Sequence, residues 1–167
     1  MTTKKKVYLA SFLAPMVIMF IAWAIDGFFP FGARSLMAVD FNAQYIGLYA
    51  YFKHLFLNWD WSSFFYSFSK SIGGGMLGIW GFNLLSPFNF LFLFFSEENF
   101  QWIVPVVIAL RYGTMGLTMT HFLVKRYDGL KKKAYLLPIV ATIYALNGFN
   151  VSYQMNQIFY DGMIMLP

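Results

Sequence analysis

The sequence predicts an all-α, polytopic membrane protein, and three observations predict it: composition, long uncharged runs, and basic clusters beside those runs. Of the 167 residues, 59% are hydrophobic and only 11% are charged, whereas a soluble domain averages about 45–50% apolar and about 25% charged residues. An excess of this size is typical of an integral membrane chain. The sequence contains no cysteine, which excludes a disulfide framework and any thiolate nucleophile or metal ligand.

The first predicted membrane span covers residues 7–25, because this run carries no charge and approaches the roughly 20 apolar residues that a crossing needs. It follows Lys4–Lys6, and a second basic cluster lies within residues 125–133. Lysine and arginine clusters beside spans predict cytoplasmic loops, which gives a cytoplasmic N-terminus. Because the clusters are short and flank spans, they do not indicate a nucleic-acid partner.

The number of crossings between the two basic clusters must be even if both are cytoplasmic. We therefore predict a second span at residues 105–124 and a third at 134–150, joined by a cytoplasmic loop. The apolar stretch 76–95 contains glycine, asparagine and proline, and we interpret it as a short helix at, or dipping into, the outer leaflet. Residues 26–104 then form one outer segment, and residues 151–161 lie outside near its start.

Asp40 is the candidate catalytic residue, because it precedes a predicted helix over residues 42–57 that lies on the outer surface. An aspartate in this position can cap the helix, and it can also take a proton from a hydroxyl acceptor. Gln44 and Tyr45 follow in the same motif and are assigned to substrate binding.

Arg111 lies inside the second predicted span, about two turns below its outer end. An ionisable residue at this depth indicates a function with a specific partner, and a phosphate is the partner that guanidinium binds bidentately. The alternative is that its side chain reaches the outer surface.

A second polar cluster, formed by Asn147, Gln154 and Asp161, falls on the outer side. Amides both donate and accept hydrogen bonds, so these residues are candidates for binding a sugar or an acceptor, or they form an ordinary hydrated loop. The two histidines, His54 and His121, are isolated, and the sequence has no zinc pattern.

Several motifs occur in a characteristic order: a lysine-led first span, residues 40–45, the glycines 73–75, residues 83–89, and residues 157–162. Together they resemble the start of the bacterial YfhO family. Family members are far longer, and the final residues begin another apolar run, so we expect this chain to be the N-terminal part of a larger membrane domain.

The resemblance implies a membrane glycosyltransferase of the GT-C type in the bacterial cell membrane. Such enzymes take a sugar from a polyprenyl-phosphate donor on the outer face, and YfhO-like proteins are linked to decorating teichoic or lipoteichoic acids in Gram-positive bacteria. It implies that Asp40 is the base, or that it helps to hold a divalent cation. Two alternatives stay open: a transporter or flippase of lipid-linked sugars, and a non-catalytic assembly subunit.

Overall fold

The computed structural model describes residues 3–70, 72–127 and 133–167, and it confirms the helical membrane class. Eight α-helices are described: α1 (Thr3–Ile25), α2 (Ile46–Asn58), α3 (Ser62–Phe65), α4 (Leu77–Ile79), α5 (Phe100–Arg126), α6 (Leu136–Ala145), α7 (Gly148–Ser152) and α8 (Ile158–Met165). Two π-helical turns, Phe41–Tyr45 and Trp80–Leu84, and two 3-10 helices, Pro87–Phe94 and Glu97–Asn99, complete the helical part. Strands β1 (Tyr66–Ser67) and β2 (Gly74–Gly75) pair antiparallel as a short hairpin.

Two helices in the described part of the chain are long and apolar enough to cross a membrane: Lys4–Ile25, with 22 residues, and Glu97–Arg126, with 30 residues. The predicted spans 7–25 and 105–124 lie within them. In the second of them, the α-helix α5 begins at Phe100, before the predicted start of the span at residue 105, and Pro105 lies inside the helix.

Helices α1 and α5 pack antiparallel. Near one end the Phe29 and Trp102 rings have centroids 4.4 Å apart, and toward the other end Gly116 lies against Ser11. Lys4–Lys6 and the end of α5, with Lys125 and Arg126, are therefore at the same end of the pair. This arrangement agrees with an even number of crossings between the two basic clusters.

The stretch 76–95 is two helical segments, Leu77–Leu84 and Pro87–Phe94, that meet at an angle of 89°. The single helix predicted there is wrong, because Pro87 lacks an N–H and holds Ser86 extended, with φ −64° and ψ 132°. Helices α1 and α5 run in opposite directions. If both cross the membrane, the bent pair between them begins and ends on the same side of it. That geometry matches the predicted dip into one leaflet.

The third predicted span is shorter than expected. Helix α6 covers only Leu136–Ala145, about 15 Å at the usual rise per residue and roughly half of a hydrocarbon core. The predicted third span, 134–150, therefore holds two helices, α6 and the start of α7, rather than one. Helix α6 ends because Asn147 adopts an extended backbone, with ψ 159°, and starts α7 instead.

Two glycines of α5 allow α1 to approach closely. A Cβ at Gly116 would overlap the backbone carbonyl of Ser11, and one at Gly113 would lie 2.7 Å from the Phe12 ring and 2.8 Å from the Met16 sulfur. Small residues at such contacts let membrane helices pack backbone to backbone.

We expect Gly116→Ala to destabilise the protein by about 1–3 kcal/mol, because the added methyl group forces the two backbones apart. Gly162→Ala is the matched control, since a Cβ at this helical glycine meets nothing within 4 Å. Thermal unfolding in detergent compares the two, and an unchanged melting temperature for Gly116→Ala would contradict the close contact.

Helix α2 and its preceding π-helical turn bury an aromatic stripe against the bent pair, and the predicted helix over 42–57 is confirmed there. The stripe consists of Phe41, Tyr45, Tyr49 and Phe52, spaced at three to four residues as one helix face requires. The Tyr49 ring stacks on Phe92 with centroids 4.3 Å apart. This stacking fixes α2 beside the 3-10 helix. It therefore also positions Asp40, which directly precedes the π-helical turn Phe41–Tyr45.

Candidate functional site

Asp40 is the first residue of the helix that continues into the π-helical turn, and its own backbone is helical, with φ −61° and ψ −30°. Its side chain makes no capping hydrogen bond, so the helix-cap alternative is wrong. The preceding Val39 has φ +52°, a left-handed conformation that a β-branched residue rarely adopts. Backbone strain of this kind is concentrated at functional sites.

Asp40 lines a cavity of about 220 Å³. Val39 is on the same side, and the opposite wall is the segment between α7 and α8: Ser152, Tyr153, Gln154, Met155 and Asn156. The sequence predicted that this segment lies near Asp40, and the structure brings the two together.

Two hydrogen bonds fix the wall opposite Asp40. The Trp23 indole N–H donates to Gln154 Oε1 at 3.0 Å, and the Tyr45 hydroxyl donates to Asn156 Oδ1 at 3.0 Å. Burial, and then the neighbouring Asp40 carboxylate, raise the pKa of Tyr45. Tyr45 was assigned to substrate binding, but here it is buried and holds the cavity wall in place, whereas Gln154 lines the cavity itself.

Arg111 is completely buried, so the alternative that its side chain reaches the surface is wrong. Its Nη1 donates to the Gln157 carbonyl at 2.9 Å, and its Nη2 donates to Ser86 Oγ at 2.9 Å and to Asn89 Oδ1 at 3.3 Å. The Phe88 ring lies 5.4 Å from the guanidinium carbon. All three acceptors are neutral, so these bonds do not compensate the charge.

The partners of Arg111 were missed as site residues. Ser86 and Asn89 flank the break of the bent pair, and Asn89 also donates to the carbonyls of Asn83 at 2.7 Å and Leu84 at 3.2 Å. The signal for them in the sequence is the row of polar residues within 83–89, inside the apolar stretch 76–95. These residues contribute to the family resemblance, but the sequence does not show that they meet Arg111.

Five buried polar atoms around Arg111 have no hydrogen-bond partner among the described residues: Tyr49 Oη, Asn83 Nδ2, Arg111 Nε, Gln157 Nε2 and Gln157 Oε1. Burial raises the pKa of Tyr49 to about 12, while the Arg111 charge lowers it, the Asn83 side chain close to the hydroxyl also lowers it, and Tyr45 and Asp161 raise it. Arg111, Asn83 and the half-buried Asp161 therefore lie around the same hydroxyl group.

The structure places Gln44 and Asn147 away from the Asp40 cavity. Gln44 lines a separate cavity of about 320 Å³, together with Tyr51, Ser67 and Lys70. Asn147 caps α7, because its Oδ1 accepts from the Asn150 N–H at 3.1 Å while its Nδ2 donates to the Tyr144 carbonyl at 2.8 Å. Both ends of the Asn147 amide are thus engaged within the protein.

We expect Asn147→Ala to destabilise the protein by about 1 kcal/mol, because α7 loses its capping acceptor, and to leave the function unchanged. Asn147→Ser is the control, since a serine hydroxyl caps a helix about as well as asparagine. Melting temperatures test the cap. Loss of function in a folded Asn147→Ser protein would restore the original substrate-binding assignment.

Within residues 3–70, 72–127 and 133–167, no three acidic or histidine side chains come close enough together to hold a metal ion. The mechanism proposed below therefore includes no step that passes through a divalent cation.

The model of the family described as "Bacterial membrane protein YfhO" matches residues 11–167. The chain belongs to the YfhO family. The match contains both parts of the site, the Asp40 cavity and the surroundings of Arg111. No curated protein and no solved structure matches the chain.

Proposed function

We propose that this YfhO-family protein is a membrane glycosyltransferase. It transfers a sugar from a polyprenyl-phosphate donor to a hydroxyl group of a cell-envelope polymer, such as teichoic or lipoteichoic acid, on the outer face of the bacterial membrane. Membership of the family fits a membrane glycosyltransferase in general. The observation that carries the proposal is the Asp40 carboxylate, which makes no capping bond and lines a small, partly polar cavity.

Asp40 acts as the general base in this proposal. It accepts the proton of the acceptor hydroxyl while the hydroxyl oxygen bonds to the anomeric carbon of the donor sugar. The bond from that carbon to the phosphate oxygen breaks with its electron pair, and polyprenyl phosphate leaves. Attack from the face opposite the phosphate inverts the anomeric configuration.

The segment between α7 and α8 positions the reacting groups. Gln154 faces the cavity, and its amide nitrogen is available to a sugar hydroxyl because Trp23 occupies its oxygen. Asp161 lies deeper, around the hydroxyl of Tyr49, and is assigned to the donor side. Gln44, in the neighbouring cavity, contacts a more distant part of the acceptor.

The orientation in the membrane rests on the two basic clusters. Lys4–Lys6 and the described part of the second cluster, Lys125 and Arg126, lie at the same end of the antiparallel pair α1 and α5, and the positive-inside tendency assigns that end to the cytoplasm. The Asp40 cavity is beside Trp23, near the opposite end of α1, which is the outer side in this orientation.

The direct test uses membranes that contain the full-length protein, purified lipoteichoic acid, and radiolabelled undecaprenyl-phosphate hexose or N-acetylhexosamine. The proposal expects label to move to the polymer only when the protein is present. Movement of the labelled lipid across sealed vesicles without transfer would favour a flippase instead. Absence of both activities with every donor would favour an assembly subunit.

A further inference from the structure

We propose that Arg111, Tyr49, Asn83 and Gln157 form a buried phosphate-binding chamber. The chamber recognises phosphate oxygens, and its assignment to the phosphate group of the lipid-linked donor rests on the proposed function. It is separate from the Asp40 cavity, although the two are connected through neighbouring residues: Asn156 lines that cavity and Gln157 belongs to the chamber.

The first argument is charge. The Arg111 guanidinium is completely buried and its three hydrogen bonds go to a carbonyl, a hydroxyl and an amide oxygen. A buried cation is strongly unfavourable unless an anion compensates it, and an arginine in a membrane-spanning helix generally has such a partner. The Asp161 carboxylate lies near the Tyr49 hydroxyl but is not among the hydrogen-bond acceptors of Arg111, whereas an incoming phosphate brings a negative charge into direct contact.

The second argument is the chemistry of the unpartnered atoms. Tyr49 Oη, Asn83 Nδ2, Arg111 Nε and Gln157 Nε2 can each donate a hydrogen bond, whereas Gln157 Oε1 can only accept one and Tyr49 Oη can do either. Buried polar groups in folded proteins almost always have partners. One unused donor of the guanidinium and three on neighbouring side chains match the acceptor-only oxygens of a phosphate, which form charge-assisted hydrogen bonds.

The third argument is convergence. The four residues come from α2, the π-helical turn Trp80–Leu84, α5 and the residue before α8. Arg111 is bonded to the Gln157 carbonyl, and both Arg111 and Asn83 act on the Tyr49 hydroxyl. These contacts bring the four residues together although they lie far apart in the sequence.

The break in the bent pair contacts the chamber through Ser86. Leu85 is 62% exposed, whereas the next residue, Ser86, is buried and contacts Arg111. The residue that contacts the guanidinium, Ser86, thus directly follows an exposed apolar residue, Leu85.

The test measures binding to the full-length protein in detergent, with undecaprenyl monophosphate and inorganic phosphate as separate probes and undecaprenol as the control without phosphate. Tyr49→Phe and Gln157→Met each remove unpartnered groups and leave the Gln157 carbonyl in place. We expect each variant to bind phosphate about tenfold more weakly, because each loses a hydrogen bond to a charged group. Their melting temperatures are expected to change little, because the Tyr49 ring keeps its stacking on Phe92 and the Gln157 carbonyl keeps its bond to Arg111.

The matched control is Tyr112→Phe. The Tyr112 hydroxyl is also buried but is bonded to Asn150 and Tyr160, so this variant should lose stability and keep phosphate binding. Binding of inorganic phosphate supports a site for the free anion, and binding of undecaprenyl monophosphate alone supports the donor head group. Binding no stronger than that of undecaprenol, or equal binding by the wild type and both chamber variants, overturns the proposal.

The outcome is independent of the test of catalysis. Asp40→Asn leaves the chamber intact and is expected to bind phosphate as the wild type does. If phosphate binds in the chamber but no sugar is transferred under any condition, the glycosyltransferase proposal fails and the chamber stands.

Discussion

Asp40→Asn is expected to lower sugar transfer by about 10²–10⁴-fold, which is the usual contribution of a general base. The amide is nearly the same size as the carboxylate but cannot accept the proton of the acceptor hydroxyl. Because Asp40 makes no capping hydrogen bond, the substitution removes no structural contact of that kind. The melting temperature of the variant is therefore expected to stay within the error of the wild-type value.

The control for Asp40→Asn is Asp26→Asn, which neutralises another carboxylate of the same outer segment outside the Asp40 cavity. Both variants are compared in the transfer assay with radiolabelled donor, at matched protein levels in the membrane. Normal transfer by Asp40→Asn would remove the proposed base. An equal loss in both variants would point to the net charge of the segment instead.

The sequence predicted the two long helices well, because the signal for each is local. Residues 7–25 form an uncharged run, and the charges at Lys4–Lys6 and beyond residue 124 end the apolar stretches on one side. The even number of crossings followed from the same charges, and the antiparallel packing of α1 and α5 agrees with it. Composition is sufficient here because membrane solvation acts on each helix separately.

Helix breaks were harder to predict than spans. Pro87 is among the residues that argue against a full span at 76–95, but it does not by itself predict a bend within that stretch, and Asn147 lies inside the predicted third span. In the structure Pro87 separates two segments at 89°, and Asn147 ends α6 after ten residues. Apolar composition therefore indicates where the chain can enter a membrane, but breaker residues decide how far each helix continues.

The site was only partly predictable for a different reason. The closeness of Asp40 and Gln154 followed from topology alone, since both were placed on the outer side. Gln44 was grouped with Asp40 because it follows in the same motif, but the structure places it in a neighbouring cavity. The neighbours of Arg111 come from three other elements, and a single sequence carries no information on which distant polar residues will meet.

Arg111→Ala is expected to destabilise the protein by about 3 kcal/mol or more. Ser86, Asn89 and the Gln157 carbonyl would lose their guanidinium donor, and each buried acceptor left unpaired costs about 1–3 kcal/mol. Removing the buried charge offsets part of this loss. The lost bonds outweigh that relief, because the three contacts join the bent pair to the segment before α8. Thermal unfolding in detergent measures the effect.

The conservative variant Arg111→Lys separates this structural role from phosphate binding. Lysine keeps the positive charge but lacks the planar fork that contacts several oxygens at once, so we expect the KM for the lipid donor to rise about tenfold. The KM for the polymer acceptor is expected to stay unchanged, because the acceptor reacts beside Asp40. Arg126→Lys, at the exposed far end of α5, should change neither value. A purely structural Arg111 would instead shift both constants together, or lower kcat alone, and either result would contradict contact with the donor phosphate.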